Sequence, residues 1–256
     1  MIADSDSVLG VTLPDRVPLT YNAWLRYDVM RRILSRRFPD ARSFLEVGCG
    51  QGALAARLSR QYEYVGFEPD AESSGVASRR LSELGTGEIV HGLLPSEPTR
   101  TFDLVGAFEV LEHLEDDLGA LQSWREWLCP GGGLLLSVPA HQHRYSTADS
   151  AVGHYRRYGR DDLRTVVKNA GFDAVEVMIY GFPLGNLLEF VRNRLAEPAA
   201  DVPLEKRTEA SGRTHQPPEQ LWWLTQFATA PFRILQRPFI GGNLGTGFVL
   251  AAIRRD

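Results

Sequence analysis

Apolar and polar residues alternate along this chain in two rhythms. From Asn22 to Phe38, Trp24, Leu25, Val29, Ile33 and Leu34 recur at helical spacing. The arginines between them are expected to face water, and Pro39 and Asp40 end the helix. Shorter runs of strand and helix character then follow in turn. Segments 41–48 (ARSFLEVG), 62–70 (YEYVGFEPD), 87–92 (GEIVHG), 102–110 (FDLVGAFEV) and 131–140 (GGGLLLSVPA) read as strands, the last two apolar in the manner of fully buried strands. Segments 52–61, 71–84, 116–128 and 160–171 read as helices, the second weakly patterned and the fourth closed by Gly171 at its C-terminal cap. Two further strands are expected over 172–182 and 245–255. Apolar strands alternating with helices predict an α/β fold, a doubly wound and mostly parallel sheet covered on both faces. The last two strands are expected to be partly antiparallel.

Two stretches break the alternation. Residues 1–21 contain Pro14 and Pro18 and no period, and read as an N-terminal arm before a domain spanning 22–256. Within that domain an insertion occupies 184–244. It holds a helix from Leu184 to Leu195, a polar proline-containing stretch over 197–219, and the aromatic run 221–239, in which Pro231 is expected to produce a kink. Trp222, Trp223, Phe227, Phe232 and Phe239 are too much aromatic surface to leave uncovered. They predict a cover over the sheet, over an acceptor pocket or, through 219–239, against a membrane surface. The expectation carried forward is a wall or lid of the acceptor site that selects a hydrophobic acceptor.

Composition narrows the class. The chain has 256 residues, 43% hydrophobic and 23% charged, an ordinary globular balance with no apolar run long enough to span a bilayer. The start, MIADSDSVLG, lacks the basic and apolar regions of a signal peptide, and Cys49 and Cys129 make no disulfide framework, so a cytoplasmic location is expected. A net charge of −4 argues against a nucleic-acid partner. The tyrosine–arginine run HYRRYGR therefore reads as a solvated loop, or as a clamp for one phosphate or carboxylate.

The first candidate chemistry is FLEVGCGQGAL, which places Gly48, Gly50 and Gly52 between a strand and a helix, where backbone can approach a ligand closely. Gly48, Gly50 and Ala53 also satisfy the dinucleotide-binding pattern, and Glu68 at the end of the second strand suits ribose hydroxyls in either case. Glu46 discriminates. A carboxylate there would repel a pyrophosphate but favour the ammonium of a methionine moiety. A ligand-free turn would leave so polar a residue in so apolar a strand without a role.

FLEVGCGQGAL, VGFEPD, FDLVGAFEVLEHLEDD and LCPGGGLLLSVP resemble, in order, the successive motifs of class I S-adenosylmethionine-dependent methyltransferases, from about Ser43 to Phe182, and GTGFVLAAIRR resembles the family's final strand. The resemblance implies a seven-stranded Rossmann-like sheet with its last strand antiparallel and a helical insertion before it. It also implies contacts to S-adenosylmethionine from Glu46, Gly48, Cys49, Gly50, Gly52, Glu68 and Pro69, with Phe108 and Glu109 lining the methionine side. Family members often hold the adenine with an acid near the end of the third strand. VHGLLPSEP has none beside Gly92, so the backbone of Gly92 and Leu93 is expected to serve.

Glu109, Glu112 and His113 follow the fourth strand at the edge where such sheets bind ligands, and His154 lies on the loop after the fifth. Two carboxylates and imidazoles at that spacing can take a divalent cation. The set resembles two branches of the family, the small-RNA 3′-terminal 2′-O-methyltransferases and the ubiquinone-pathway O-methyltransferases. The resemblance to the RNA branch implies Mg2+ or a similar cation on Glu109, Glu112, His113 and His154. In the alternative, Glu112 only caps the next helix and His113 acts alone as a base. His141 and His143 read as loop residues. With His113, Glu112 and His154 as catalytic candidates, the leading expectation is O-methylation of a small-molecule or lipid-like acceptor, glycoside or quinone-like. RNA, carbon or nitrogen methylation, a non-catalytic cofactor-binding module, and an NAD-dependent oxidoreductase are the alternatives.

Overall fold

A computed structural model describes residues 17–195, 220 and 222–256. Seven strands form one sheet: β1 (Ser43–Val47), β2 (Glu63–Glu68), β3 (Glu88–His91), β4 (Phe102–Phe108), β5 (Leu128–Pro139), β6 (Phe172–Tyr180) and β7 (Gly247–Arg254). Their order is β3-β2-β1-β4-β5-β7-β6. The pairs among β1 to β5 are parallel, whereas β7 runs antiparallel to both neighbours, β5 and β6. The expected doubly wound, mostly parallel sheet is therefore present, and the antiparallel character belongs to β7.

Eight helices accompany the sheet among the described residues: α1 (Tyr21–Arg37), α2 (Ala55–Leu58), α3 (Ala71–Leu84), α4 (Asp117–Glu126), α5 (Thr147–Ala151), α6 (Arg160–Asn169), α7 (Leu184–Leu195) and α8 (Trp222–Leu235). Side chains cap several starts. Thr20 accepts from the Ala23 amide at 3.2 Å, Asp70 from Ser73 at 2.9 Å and Asp116 from Gly119 at 2.8 Å. The weakly patterned helix over 71–84 is real, closed by Gly85 in the left-handed region. Leu121, Trp124, Leu163 and Val167 of α4 and α6 pack one sheet face, and Leu25, Val29, Met30, Ile33 and Leu81 of α1 and α3 pack the other.

Several elements differ from expectation. The helix over 52–61 shrinks to α2, because Gly52 adopts φ +74, which no right-handed helix accommodates. β5 starts early, with Cys129–Gly132 taken up in a register shift between Phe102 and Leu104 of its partner. α8 runs through Pro231 to Leu235. The arginines of α1 do not all face water: the side chains of Arg26 and Arg37 are only 15% and 14% exposed. Most of the arm (1–16) and the polar middle of the insertion (196–219) lie outside the described residues. Val17 accepts a hydrogen bond from buried Arg57 at 2.8 Å, and Leu19 is buried beside it. No described helix is long and apolar enough to cross a membrane.

Candidate active site

A cavity of about 1000 Å³ opens at the carboxyl edge of β1, β2 and β4, where the strand order reverses. Its floor is the turn after β1. Gly48, Gly50 and Gly52 all have positive φ, and around Gly50 nothing lies within 4 Å of a Cβ position, so the chain turns tightly and leaves the cavity open. The amides of Gly48 and Cys49 donate to the Phe67 carbonyl. Glu68 braces the turn: Oε2 accepts from the Gly50 amide at 2.7 Å and Oε1 from the Asp70 amide at 2.9 Å. Burial raises its pKa. Glu46 is 3% exposed, lines the cavity, and accepts from the Tyr64 hydroxyl at 2.7 Å. Burial pushes its carboxyl up to about 7, against that hydrogen bond and the charge of Arg26.

Glu46, Gly48, Cys49, Gly50, Glu68, Pro69, Gly92, Leu93, Phe108 and Glu109 all line this one cavity. Gly52 stands behind the turn, its Cβ position 2.9 Å from Ala77. One expectation changes at the adenine end. The Gly92 amide already donates to the Glu68 carbonyl at 2.9 Å, so only the Gly92 carbonyl and the Leu93 backbone are open to a base.

The Glu-x-x-Glu-His run divides into two groups. Glu109, just after β4, lies in the left-handed region at φ +58, a strained conformation for a non-glycine residue. Its Oε1 accepts from Ser137 Oγ at 2.7 Å and Tyr180 Oη at 3.2 Å, and pairs with Arg26 at 3.2 Å. Burial works against the charge of Arg26, but Glu109 beside it leaves its pKa above the usual value. Sequence reasoning missed Arg26, Tyr64 and Tyr180. Their spacing carries no motif: sheet register brings Tyr64 and Tyr180 here, and the crossing of α1 over the sheet brings Arg26.

Glu112, His113 and His154 form the second group. One ligand atom from each lies within 4.8 Å of the others, and Glu109 stands outside the set. Glu112 is fully buried and caps nothing, since Asp116 caps α4. Both its oxygens lack a hydrogen-bond partner. Burial and then the charge of Glu109 hold its pKa well above the carboxylate range. His113 Nδ1 lies 3.1 Å from the Gly153 carbonyl, and His154 Nδ1 lies 3.2 Å from Asp149 Oδ1. Both partners are acceptors, so each Nδ1 carries a proton, and on the neutral His113 ring Nε2 keeps its lone pair. The two rings meet edge to face at 4.7 Å. Burial, and then His154, lower the His113 pKa to about 4, which keeps it neutral. A buried carboxyl group with no hydrogen-bond partner beside two imidazoles suits a divalent cation.

Beyond His154 the HYRRYGR run is a carboxylate clamp inside the protein. The side chain of Arg157 is 1% exposed. It holds Asp149 Oδ1 at 2.9 Å and also bonds Glu189 of α7. Burial opposes the ionised Asp149, but the His154 hydrogen bond and Arg157 outweigh it and depress its pKa. Asp149, Arg157, Leu188, Glu189 and Arg192 line the far wall of the cavity. The insertion thus contributes α7 to the wall but not α8, which rests on α1 with Trp223 and Phe227 exposed. His141 is buried near Phe248, outside the cavity lining, with His143 beside it.

A family model described as a methyltransferase domain matches residues 21–177. A ubiquinone biosynthesis O-methyltransferase of Aliivibrio fischeri is 34% identical over 99 residues, covering 37% of this chain. The match spans 42% of that relative, less than half its length. A probable S-adenosylmethionine-dependent methyltransferase of Mycolicibacterium smegmatis is 28% identical over 184 residues, 65% of this chain and 69% of that one. Among solved structures, the YcgJ protein of Bacillus subtilis has a TM-score of 0.59 at 16% identity, covering 90% of this chain and 99% of that one. Phosphoethanolamine N-methyltransferase 2 of Haemonchus contortus, in complex with S-adenosyl-L-methionine, has a TM-score of 0.57 at 16% identity, covering 90% and 53%. Likeness at such identities speaks for the fold alone.

Proposed function

The chain belongs to the methyltransferase-domain family, and from that premise we propose that it transfers a methyl group from S-adenosylmethionine to a hydroxyl of a small or lipid-like acceptor, glycoside or quinone-like. The observation that carries this reading is one cavity with the Glu46–Gly52 turn and Glu68 at one end and His113 and His154 at the other. The residues fit the cofactor. Glu46 offers a carboxylate to an ammonium, and Glu68 keeps acceptor capacity for ribose hydroxyls. The open space at Gly50 admits a ligand against the backbone. The sulfonium supplies an already activated methyl group.

What remains for the protein is alignment and proton removal. His113 presents its Nε2 lone pair to the acceptor end beside the His154 ring, and it is neutral at physiological pH, as a base requires. Glu112, His113 and His154 would hold a divalent cation, which supplies Lewis-acid help in deprotonating a hydroxyl. The O-methyltransferase named among the relatives supports a hydroxyl acceptor. Apolar Ala148, Ala151, Val152 and Leu188 on the wall support a greasy one.

The test is transfer of label from S-adenosylmethionine to a panel of glycosides and hydroquinones, with and without chelator. S-adenosylhomocysteine should bind at micromolar affinity, about −8 kcal/mol. Absence of binding together with absence of transfer defeats the proposal.

A further inference from the structure

We infer that Tyr64 is a positioning residue for the cofactor's ammonium: its hydroxyl, reaching over Gly66, fixes the Glu46 carboxylate in the orientation that receives that cation. The inference rests on the methyltransferase reading above and goes beyond it, since no cofactor-binding motif includes Tyr64.

The sheet register makes the argument. Glu46 of β1 stands opposite Gly66 of β2 on one side and Gly106 of β4 on the other. Tyr64 stands opposite Phe44, two residues before Gly66 and on the same sheet face. To meet Glu46 its phenol must lie along the strand across position 66. A Cβ there would stand 2.8 Å from the Tyr64 hydroxyl and 2.9 Å from Cys49 Sγ, so glycine is what leaves the passage open. The hydroxyl then donates to Glu46 Oε2 at 2.7 Å. The ring is held in turn by Phe44, stacked at 6.3 Å between centroids and 17° between planes. Tyr64 is 1% exposed and Glu46 3%, so a carboxylate set among aromatic side chains has a fixed donor on one oxygen and the cavity before it.

The groups facing Glu46 are Arg26 from α1, Tyr64 and Glu68 from β2, and Cys49 from the turn. Tyr64 and Arg26 favour the ionised carboxylate, whereas burial and Glu68 disfavour it. Deleting the Tyr64 hydroxyl therefore does two things. It frees the carboxylate to rotate, and it makes ionisation harder. A residue that only fills the core would do neither.

The experiment is calorimetric titration of S-adenosylhomocysteine into wild type, Tyr64→Phe and Glu46→Gln between pH 6 and 8. Wild-type affinity should fall as the pH drops below about 7, the value to which Glu46 is pushed. Tyr64→Phe keeps the ring and should bind about tenfold to a hundredfold more weakly at pH 7, as expected for one hydrogen bond to a charged group. Its pH midpoint should move upward, so that part of the loss is recovered at pH 8. Glu46→Gln should bind weakly at every pH. If Tyr64→Phe does not fold, Gly66→Ala displaces the hydroxyl with the tyrosine still present and should show the same upward shift. Unchanged affinity and midpoint in Tyr64→Phe overturn the inference. So does a uniform weakening with no shift, which marks a structural role, or wild-type affinity in Glu46→Gln. If wild type itself binds no S-adenosylhomocysteine at any pH, the methyltransferase reading fails first.

Discussion

Nε2 of His154 stands 3.9 Å from Oε1 of Glu112, and neither oxygen of that fully buried carboxylate has a hydrogen-bond partner among the described residues. A buried polar group left unpaired costs about 1–3 kcal/mol, more when charged. Around it each imidazole is held through Nδ1, His154 by Asp149 and His113 by the Gly153 carbonyl. A cation on Glu112, His113 and His154 would satisfy those oxygens, and Asp149 would act on it only through His154. Chelation should therefore lower kcat at least tenfold and leave S-adenosylhomocysteine affinity unchanged. Two imidazoles and one carboxylate favour Co2+ or Mn2+ over Mg2+ in restoring activity. Asp149→Asn should weaken cation affinity, read as the cation concentration for half-maximal activity, by about 10–100-fold, as loss of an outer hydrogen bond does. Full activity of demetallated enzyme in chelator would leave His113 as the base without a metal.

Much of this frame was legible in the sequence because its signals are local. Gly48, Gly50 and Gly52 sit between β1 and α2, and the apolar runs of β4 and β5 mark central strands. Glu112, His113 and His154 come together because two of them share a turn and the third lies on a loop at the same sheet edge, both features visible in the sequence. The failures are long-range. Arg26 looks like one more polar position on α1, yet its pairing with Glu109 depends on how α1 crosses the sheet. Glu109 seemed equivalent to Glu112, but φ +58 turns it toward Ser137 and Tyr180. Gly66 and Tyr64 belong to no motif, and their meaning appears only when β1 and β2 are set in register.

Arg26 neutralises Glu109 next to Glu112, so its removal should be felt as stability before it is felt as chemistry. Arg26→Met leaves two carboxyl groups facing each other and should cost about 2 kcal/mol, the scale of a hydrogen bond to a charged group. For a chain of this size that lowers Tm by about 4–8 °C. Adding Glu109→Gln removes the stranded charge and should restore most of the loss. Thermal melts of the two single variants and the double form the cycle. Additive losses would mean that the ion pair carries no coupling.

The Glu46 carboxyl, pushed up to about 7 by burial, makes cofactor-free stability depend on pH in a definite direction. A raised folded-state pKa favours the protonated form. The contribution is therefore present in full below the unfolded value, about 4.5, and is lost as pH rises through about 7. Glu46→Gln keeps a neutral side chain throughout. Relative to wild type it should gain stability from pH 5 to pH 8, by up to about 3 kcal/mol. Asp149, with a depressed pKa, loses its contribution only in more acid solution, outside that window. Urea unfolding of both proteins at the two pH values measures the difference, and a difference flat with pH would refute the assignment.

The aromatic pair Trp222 and Trp223 was expected to wall the acceptor site, and the structure moves that role to α7. Leu188 lines the cavity on the wall shared with Ala148, Ala151 and Val152, while no residue of α8 does so. α8 instead packs on α1, with Gln236 just beyond it donating to the Leu25 carbonyl at 3.0 Å. Selection of a hydrophobic acceptor should therefore follow Leu188. Leu188→Ala removes apolar contact worth about 1–3 kcal/mol and should raise the acceptor KM by about tenfold or more, with S-adenosylhomocysteine affinity unchanged. Trp222→Ala with Trp223→Ala should leave the acceptor KM within about twofold, because neither ring reaches the cavity, and any loss should appear as a lower Tm through α1. Steady-state kinetics with the acceptor varied at saturating S-adenosylmethionine separates the two sets of substitutions. A large KM effect from the tryptophan pair and none from Leu188 would return the acceptor wall to α8.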